Sequence, residues 1–294
     1  MVRGVPEIHG HRGARALSPE NTLPGFARAL ALGVDAIEFD VTLTADGGLI
    51  LAHDLVVEAT TILDTGPAGD GDPLFPYVGK RWSELTLAQV ATLDAGGRRP
   101  PAPFEDTFVP VPGTPVPTLD QACGLLEDPV TLAVEPKTHP SWPDDDVRRL
   151  TEGVLATLAA RGRSAQARIL AFDWRVLWTA AAADPSVPRV ALVEPRTWAP
   201  GSAWLAGLEP AGYGVSDLVA AARDIGAAWL SPFDSLASAE LISAAHEGGL
   251  RVVVWTVNDP ARMSELADLD VDGIVTDRPD LLREVLATRE PAAR

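Results

Sequence analysis

The feature that most restricts the fold of this 294-residue chain is an alternation of strand-like and helix-like segments that begins at residue 5 and is still running at residue 286. Strand patterning falls at 5–10, 34–40, 130–136, 167–172, 188–194, 227–231, 250–255 and 273–276, as short apolar runs bounded by glycine, proline or polar residues. Between them lie segments with apolar residues at helical spacing, at 119–127, 144–160, 175–183, 216–225, 239–247, 260–269 and 281–286, with a first helix opening at Ser18-Pro19-Glu20-Asn21-Thr22 and ending at Gly33. Successive strand–helix units build a parallel sheet, because parallel neighbours need a crossover. Eight such units predict an α/β fold of the (β/α)8 TIM-barrel type, and no Gly-rich dinucleotide fingerprint speaks for an open doubly wound sheet.

In such a barrel the working residues sit at the carboxyl ends of the strands. His11, Asp40, Glu135, Glu194, Trp255 and Thr276 occupy those positions. One stretch interrupts the alternation. Prolines and glycines crowd residues 66–117, with a single helix expected at 83–92. Irregular segments of this length are usually lids or binding loops. The expected organisation is one catalytic barrel over 1–288, carrying 54–117 as an insertion or lid, followed by a frayed tail at 289–294.

The chemistry concentrates in residues 11–54. Side chains alternate faces along a strand, so Glu38 and Asp40 point together while Ile37 and Phe39 point the other way. The turn Asp46-Gly47-Gly48 reverses the chain, and the short strand 49–52 then delivers His53 and Asp54 back towards His11. Glu38, Asp40 and Glu135 are three oxygen donors without a thiolate, a set suited to one hard divalent cation, Mg2+ or Ca2+. Pairing with Arg12 and Lys137 would still leave one negative charge, which is costly to bury without a cation. Two imidazoles, His11 and His53, can divide the roles of general base and general acid. His9, His139 and His246 read as structural, although His9 shares a strand face with His11.

Read together, His11-Arg12-Gly13, Pro19-Glu20-Asn21-Thr22, Glu38 with Asp40, and His53-Asp54 resemble the glycerophosphodiester phosphodiesterase family in order and spacing. Glu135-Pro-Lys137, Trp255-Thr-Val-Asn258 and Asp272-Gly-Ile-Val-Thr-Asp277-Arg-Pro279 extend the resemblance over nearly the whole chain. The resemblance implies a barrel with a small insertion between the second strand and second helix. It implies metal-dependent hydrolysis of glycerophosphodiesters to sn-glycerol 3-phosphate and an alcohol, with Glu38, Asp40 and Glu135 as metal ligands. It places Arg12 and Lys137 at the phosphate, His11 and His53 in acid–base catalysis, and Trp255 beside the substrate. Phe172, Trp198 and Trp204 are further candidates for an apolar wall.

With 41 acidic and 24 basic residues the net charge is −17, which disfavours nucleic acid and anionic lipid surfaces as partners. The lone Cys123 excludes an intrachain disulfide and a Cys-rich metal site. No amino-terminal signal pattern or membrane-length apolar run is present, so a cytoplasmic protein without stable membrane association is expected. The sequence leaves the oligomeric state open. Two rival readings stand beside the main one. A lysophospholipase D-like or cyclic-phosphate-forming barrel would use nearly the same residues, the lipid enzyme exposing an apolar collar in the insertion or at 195–214. A catalytically silent phosphodiester-binding barrel would share the fold without the reaction.

Overall fold

The computed structural model describes residues 4–98, 103–126 and 129–289. Strand β1 (Glu7–His11) leads to α1 (Leu23–Ala31), β2 (Ala36–Leu43) and the short β3 (Leu49–Leu51), which turns back antiparallel on β2. The insertion follows, with β4 (Leu63–Asp64), a one-turn α2 (Leu87–Val90) and β5 (Leu93–Asp94). Then come α3 (Leu119–Leu125), β6 (Thr131–Pro136), α4 (Asp144–Ala160), β7 (Ala167–Ala171), α5 (Trp174–Ala183), β8 (Arg189–Val193) and α6 (Val215–Asp224). The chain ends with β9 (Trp229–Pro232), α7 (Ala239–Glu247), β10 (Arg251–Val254), α8 (Pro260–Asp268), β11 (Gly273–Thr276) and α9 (Pro279–Ala287).

Strand β1 pairs in parallel with both β2 and β11, so the eight parallel strands close into a ring with helices between them. The expected TIM barrel is the fold. Period-two alternation sorts the side chains into two layers. Phe39 faces outward and meets Phe26 of α1 at a ring-centroid distance of 5.4 Å, both fully buried. Ala133, Leu170, Val190, Leu192, Trp229, Val253 and Val275 form a separate cluster that fills the barrel interior. At the amino-terminal end, Glu7 accepts a guanidinium fork from Arg168 at 2.7 and 3.0 Å, and Arg168 lies 4.0 Å from the Trp229 ring centroid. That end is plugged, and the site opens at the other.

Caps and turns follow the sequence signals. The Thr22 hydroxyl accepts from the Gly25 amide at the start of α1, and Gly33 takes a positive φ of 72° after its end. The helix expected at 83–92 is instead broken in two, a 3₁₀ turn at Trp82–Glu84 and α2. The Leu85 carbonyl is drawn off to the Ala45 amide at 2.8 Å, and a Thr86–Gln89 capping box restarts the helix beyond it. The last residue of the helix expected at 119–127, and residues 290–294 of the expected tail, lie outside the described residues. Among the described residues, no helix is long and apolar enough to cross a membrane.

Candidate active site

Register places the site. In the β1–β2 ladder His11 stands opposite Glu38, and in the β2–β6 ladder Asp40 stands opposite Glu135. Four polar side chains from three neighbouring strands thus reach the carboxyl end of the barrel together. They line a cavity of about 480 Å³ with Arg12, His53, Lys137 and Trp255, so all the residues expected to bind metal or phosphate or to transfer protons meet the same space.

One carboxylate oxygen from each of Glu38, Asp40 and Glu135 lies within 4.8 Å of the other two, and all three residues are buried. Burial, then the charges of Asp40 and Glu135, push the Glu38 carboxyl well above its ordinary 4.5. Asp40 moves the other way, because Lys137, His53 and Arg12 together outweigh the cost of burying it. Its Oδ1 is buried without a hydrogen bond, with Lys137 Nζ 3.5 Å away. A buried trio of oxygen donors, with Asp40 Oδ1 left without a hydrogen bond, fits one hard divalent cation.

The cations are held in place from behind. Arg12, at a positive φ of 49°, donates from Nη1 to Glu20 at 2.7 Å and places Nε 3.3 Å from Asp40, while its amide donates to Glu38 at 3.1 Å. Glu20 also accepts from Arg15 at 2.7 Å. Burial opposes the Arg12 charge, but Glu20, Asp40 and Glu38 overcome that cost. Pro136 does not turn the chain: the Lys137 amide continues the ladder to Val41, and Nζ bonds Glu135 at 2.8 Å.

The two histidines differ. His11 Nδ1 is 2.6 Å from Asp277, and since a carboxylate only accepts, Nδ1 carries the proton and Nε2 faces the carboxylates, 3.9 Å from Glu38. Burial and the Arg12 charge lower the His11 pKa below 6.5, against the opposite pull of Asp277. His53 is more open and bonds Asp54 through Nδ1 at 3.0 Å.

The remaining wall is aromatic. Trp255 packs edge-to-face on Phe172 at 5.3 Å and on Phe233 at 5.1 Å, and Phe172 reaches Trp204 at 6.3 Å. Glu194, paired with Arg196, completes that side. Trp198 is not part of it. It is buried in the helix layer, with its indole donating to the Tyr213 carbonyl, so its apolar surface serves packing. His9 bonds Glu7 towards the plugged end, His246 bonds Asp272, and His139 bonds Ser141 at the rim with its ring against Trp204.

Sequence reasoning missed four groups. Asp277 and Asn258 belong to motifs that carried the resemblance but were given no role of their own, yet Asp277 orients His11 and Asn258 Nδ2 donates to Asp277 at 2.7 Å. Asn21 brackets Asp40, donating to its carboxylate at 2.9 Å and accepting from its amide at 3.2 Å. Glu20 anchors Arg12. The signal was present in each case, a polar residue at a strand end or in the loop after β1, but the partner lay elsewhere in the chain.

Comparison with known proteins accounts for this arrangement. The chain matches the glycerophosphoryl diester phosphodiesterase family over residues 11–281. The chain belongs to that family. As a glycerophosphoryl diester phosphodiesterase it is an enzyme of the phosphoric diester hydrolase class, and the match spans every residue that lines the cavity. A glycerophosphodiester phosphodiesterase of Caldanaerobacter subterraneus subsp. tengcongensis is 28% identical, the alignment covering 94% of this chain and 95% of that one. A solved structure from Silicibacter pomeroyi carrying the same family designation is 29% identical with a TM-score of 0.82, covering 97% of this chain and 94% of that one. An Oleispira antarctica phosphodiesterase, solved with the product sn-glycerol-3-phosphate, shares the fold at a TM-score of 0.72 and 20% identity, over 96% of this chain and 97% of that one.

Proposed function

We propose that this chain hydrolyses glycerophosphodiesters to sn-glycerol 3-phosphate and an alcohol with the help of one divalent cation, Mg2+ or Ca2+. The observation that carries the reading is the convergence of two imidazoles, three carboxylates, one guanidinium and one ammonium on a single cavity whose other wall is aromatic. Glu38, Asp40 and Glu135 would hold the cation, which when bound supplies Lewis-acid neutralisation of phosphate charge. Arg12 and Lys137 bind and orient the phosphoryl oxygens and stabilise the charge that builds on them.

His11 is the general base. Its bare Nε2 faces the reacting space, and Asp277 at Nδ1 stabilises the imidazolium formed when it takes the proton of the attacking nucleophile, either water itself or the neighbouring glycerol hydroxyl whose cyclic ester water then opens. His53 donates a proton to the leaving alkoxide as its P–O bond breaks. Trp255, with Phe172 and Trp204, forms the surface against which the alcohol lies. Among the described residues of the insertion, those from 56 onwards do not line the cavity, and the loop 195–214 contributes only Arg196 and Trp204. Among the described residues, the exposed apolar side chains of the insertion, Phe75, Val109 and Val111, stand away from the cavity rather than around it, and this supports soluble diesters.

The test is release of sn-glycerol 3-phosphate from glycerophosphocholine and glycerophosphoethanolamine by the parent, His11→Ala and His53→Ala. Each substitution is expected to lower kcat by about 10²- to 10⁴-fold. A variant that keeps parental turnover removes its histidine from the mechanism, and a parent inactive on both diesters overturns the substrate assignment.

A further inference from the structure

Among its described residues the insertion 54–117 lines the cavity only with its first two, Asp54 and Leu55, yet it is built directly onto the turn that carries His53. The alternation of β3 explains how. Leu51 packs into the main core, whereas Ile50 and the following Ala52 belong to a second core made by the insertion, with Val57, Ile62, Tyr77, Trp82, Leu85, Val90, Leu93 and Val116. One side of the segment leading to His53 is therefore seated in the insertion and the other in the barrel.

Hydrogen bonds tie down the turn itself. The Trp82 indole Nε1 donates to the Asp54 carbonyl at 2.8 Å, and the Trp82 amide donates to the Leu55 carbonyl at 3.2 Å. Trp82 is 2% exposed. Packing does not close around this turn on every side, because a small open cleft of about 30 Å³, lined in part by His53, Asp54, Ile62 and Trp82, runs beside it. The indole bond supplies a restraint that packing leaves out on that side. The far end of the insertion grips the loop after β1 in a similar way: Thr107 Oγ1 donates to the Ala16 carbonyl at 2.8 Å and the Val109 amide to the Leu17 carbonyl at 3.0 Å. The loop after β1 and the turn after β3 are thus both tied to the insertion.

We infer that the insertion is a brace that sets the position of His53, with Trp82 as its positioning residue acting through the Asp54 carbonyl; this rests on the proposed role of His53. Displacement of an acid–base group by a fraction of an ångström to an ångström lowers the rate without weakening substrate binding, by as much as about 100-fold. Trp82→Phe keeps an aromatic ring in the second core but removes the indole donor together with part of the ring volume, so Tm is read alongside the kinetics.

The experiment measures kcat, KM and Tm for glycerophosphocholine hydrolysis by Trp82→Phe, His53→Ala and the double variant. The brace predicts a kcat for Trp82→Phe lowered about 10- to 100-fold with KM within about twofold, and no further loss when the substitution is added to His53→Ala. Folded Trp82→Phe enzyme with parental kcat overturns it, as does an equal loss in the His53→Ala background, which marks general damage. Parental turnover by His53→Ala alone would instead refute the role of His53. If Trp82→Phe does not fold, Trp82→Tyr, whose larger ring also lacks a donor at the indole position, carries the same expectation of a kcat loss at constant KM, and its absence overturns the brace.

Discussion

Replacing Asp277 by asparagine changes one oxygen to an amide nitrogen, and the surroundings dictate where that nitrogen goes. Asn258 cannot rotate to suit it, because its Oδ1 already accepts from the Asp277 amide at 2.9 Å and from the Thr276 hydroxyl at 3.0 Å. Its Nδ2 therefore keeps donating to the Oδ2 side of residue 277, 2.7 Å away. The new amide must place its oxygen there and turn its NH2 towards His11 Nδ1, where the carboxylate oxygen stood at 2.6 Å. A donor facing Nδ1 forces the proton to Nε2, so the nitrogen facing the substrate is no longer a base. Loss of a general base costs about 10²- to 10⁴-fold, and the same tautomer error in a serine-protease triad costs about 10⁴. The kcat for sn-glycerol 3-phosphate release by Asp277→Asn should fall within that range with Tm little changed. Asp277→Ala, which removes the wrongly placed donor together with the carboxylate, should retain more activity than Asp277→Asn. A folded Asp277→Asn enzyme with kcat within about threefold of the parent, or one more active than Asp277→Ala, would refute the tautomer argument.

Two further outcomes follow from the same geometry. Asn21→Ala removes both hydrogen bonds that bracket Asp40, and the divalent-ion concentration for half-maximal activity should rise about 10- to 100-fold, read from a metal titration; an unchanged midpoint would show the bracket to be idle. At the plugged end, burial would raise the Glu7 pKa, but His9 and Arg168 hold it at about 2 rather than 4.5. Its folded-state pKa is depressed, so its stabilisation is present above about 4.5 and is lost as pH falls towards about 2. Glu7→Gln should lower Tm by about 2–4 °C at pH 7, with the gap closing over that acidic window, and a pH-independent gap would contradict the ion-pair account.

The parts of the site that could be read from the sequence are those fixed by local geometry. Period-two alternation put Glu38 and Asp40 on one face, the Asp46-Gly47-Gly48 turn brought His53 back towards β1, and strand-end positions marked Glu135 and Trp255. Asp277 could not be read in this way, since it meets His11 across 266 residues of sequence and only the pairing of β11 with β1 joins them. Trp198 and Trp204 are indistinguishable as residue types, and which side of the barrel wall each occupies is settled by the path of the 195–214 loop. The broken helix at 83–92 has a related cause. Its periodicity is helical throughout, but the Leu85 carbonyl is claimed by Ala45 in the turn after β2.

The most direct test of the account is to strip the enzyme of metal and follow sn-glycerol 3-phosphate release from glycerophosphocholine as Mg2+ or Ca2+ is added back. The account predicts negligible turnover in chelator and saturable restoration by the ion, with Glu135→Gln requiring far more of it. Full turnover by the metal-stripped enzyme would show that Glu38, Asp40 and Glu135 do not act by holding a cation, and would contradict the central claim.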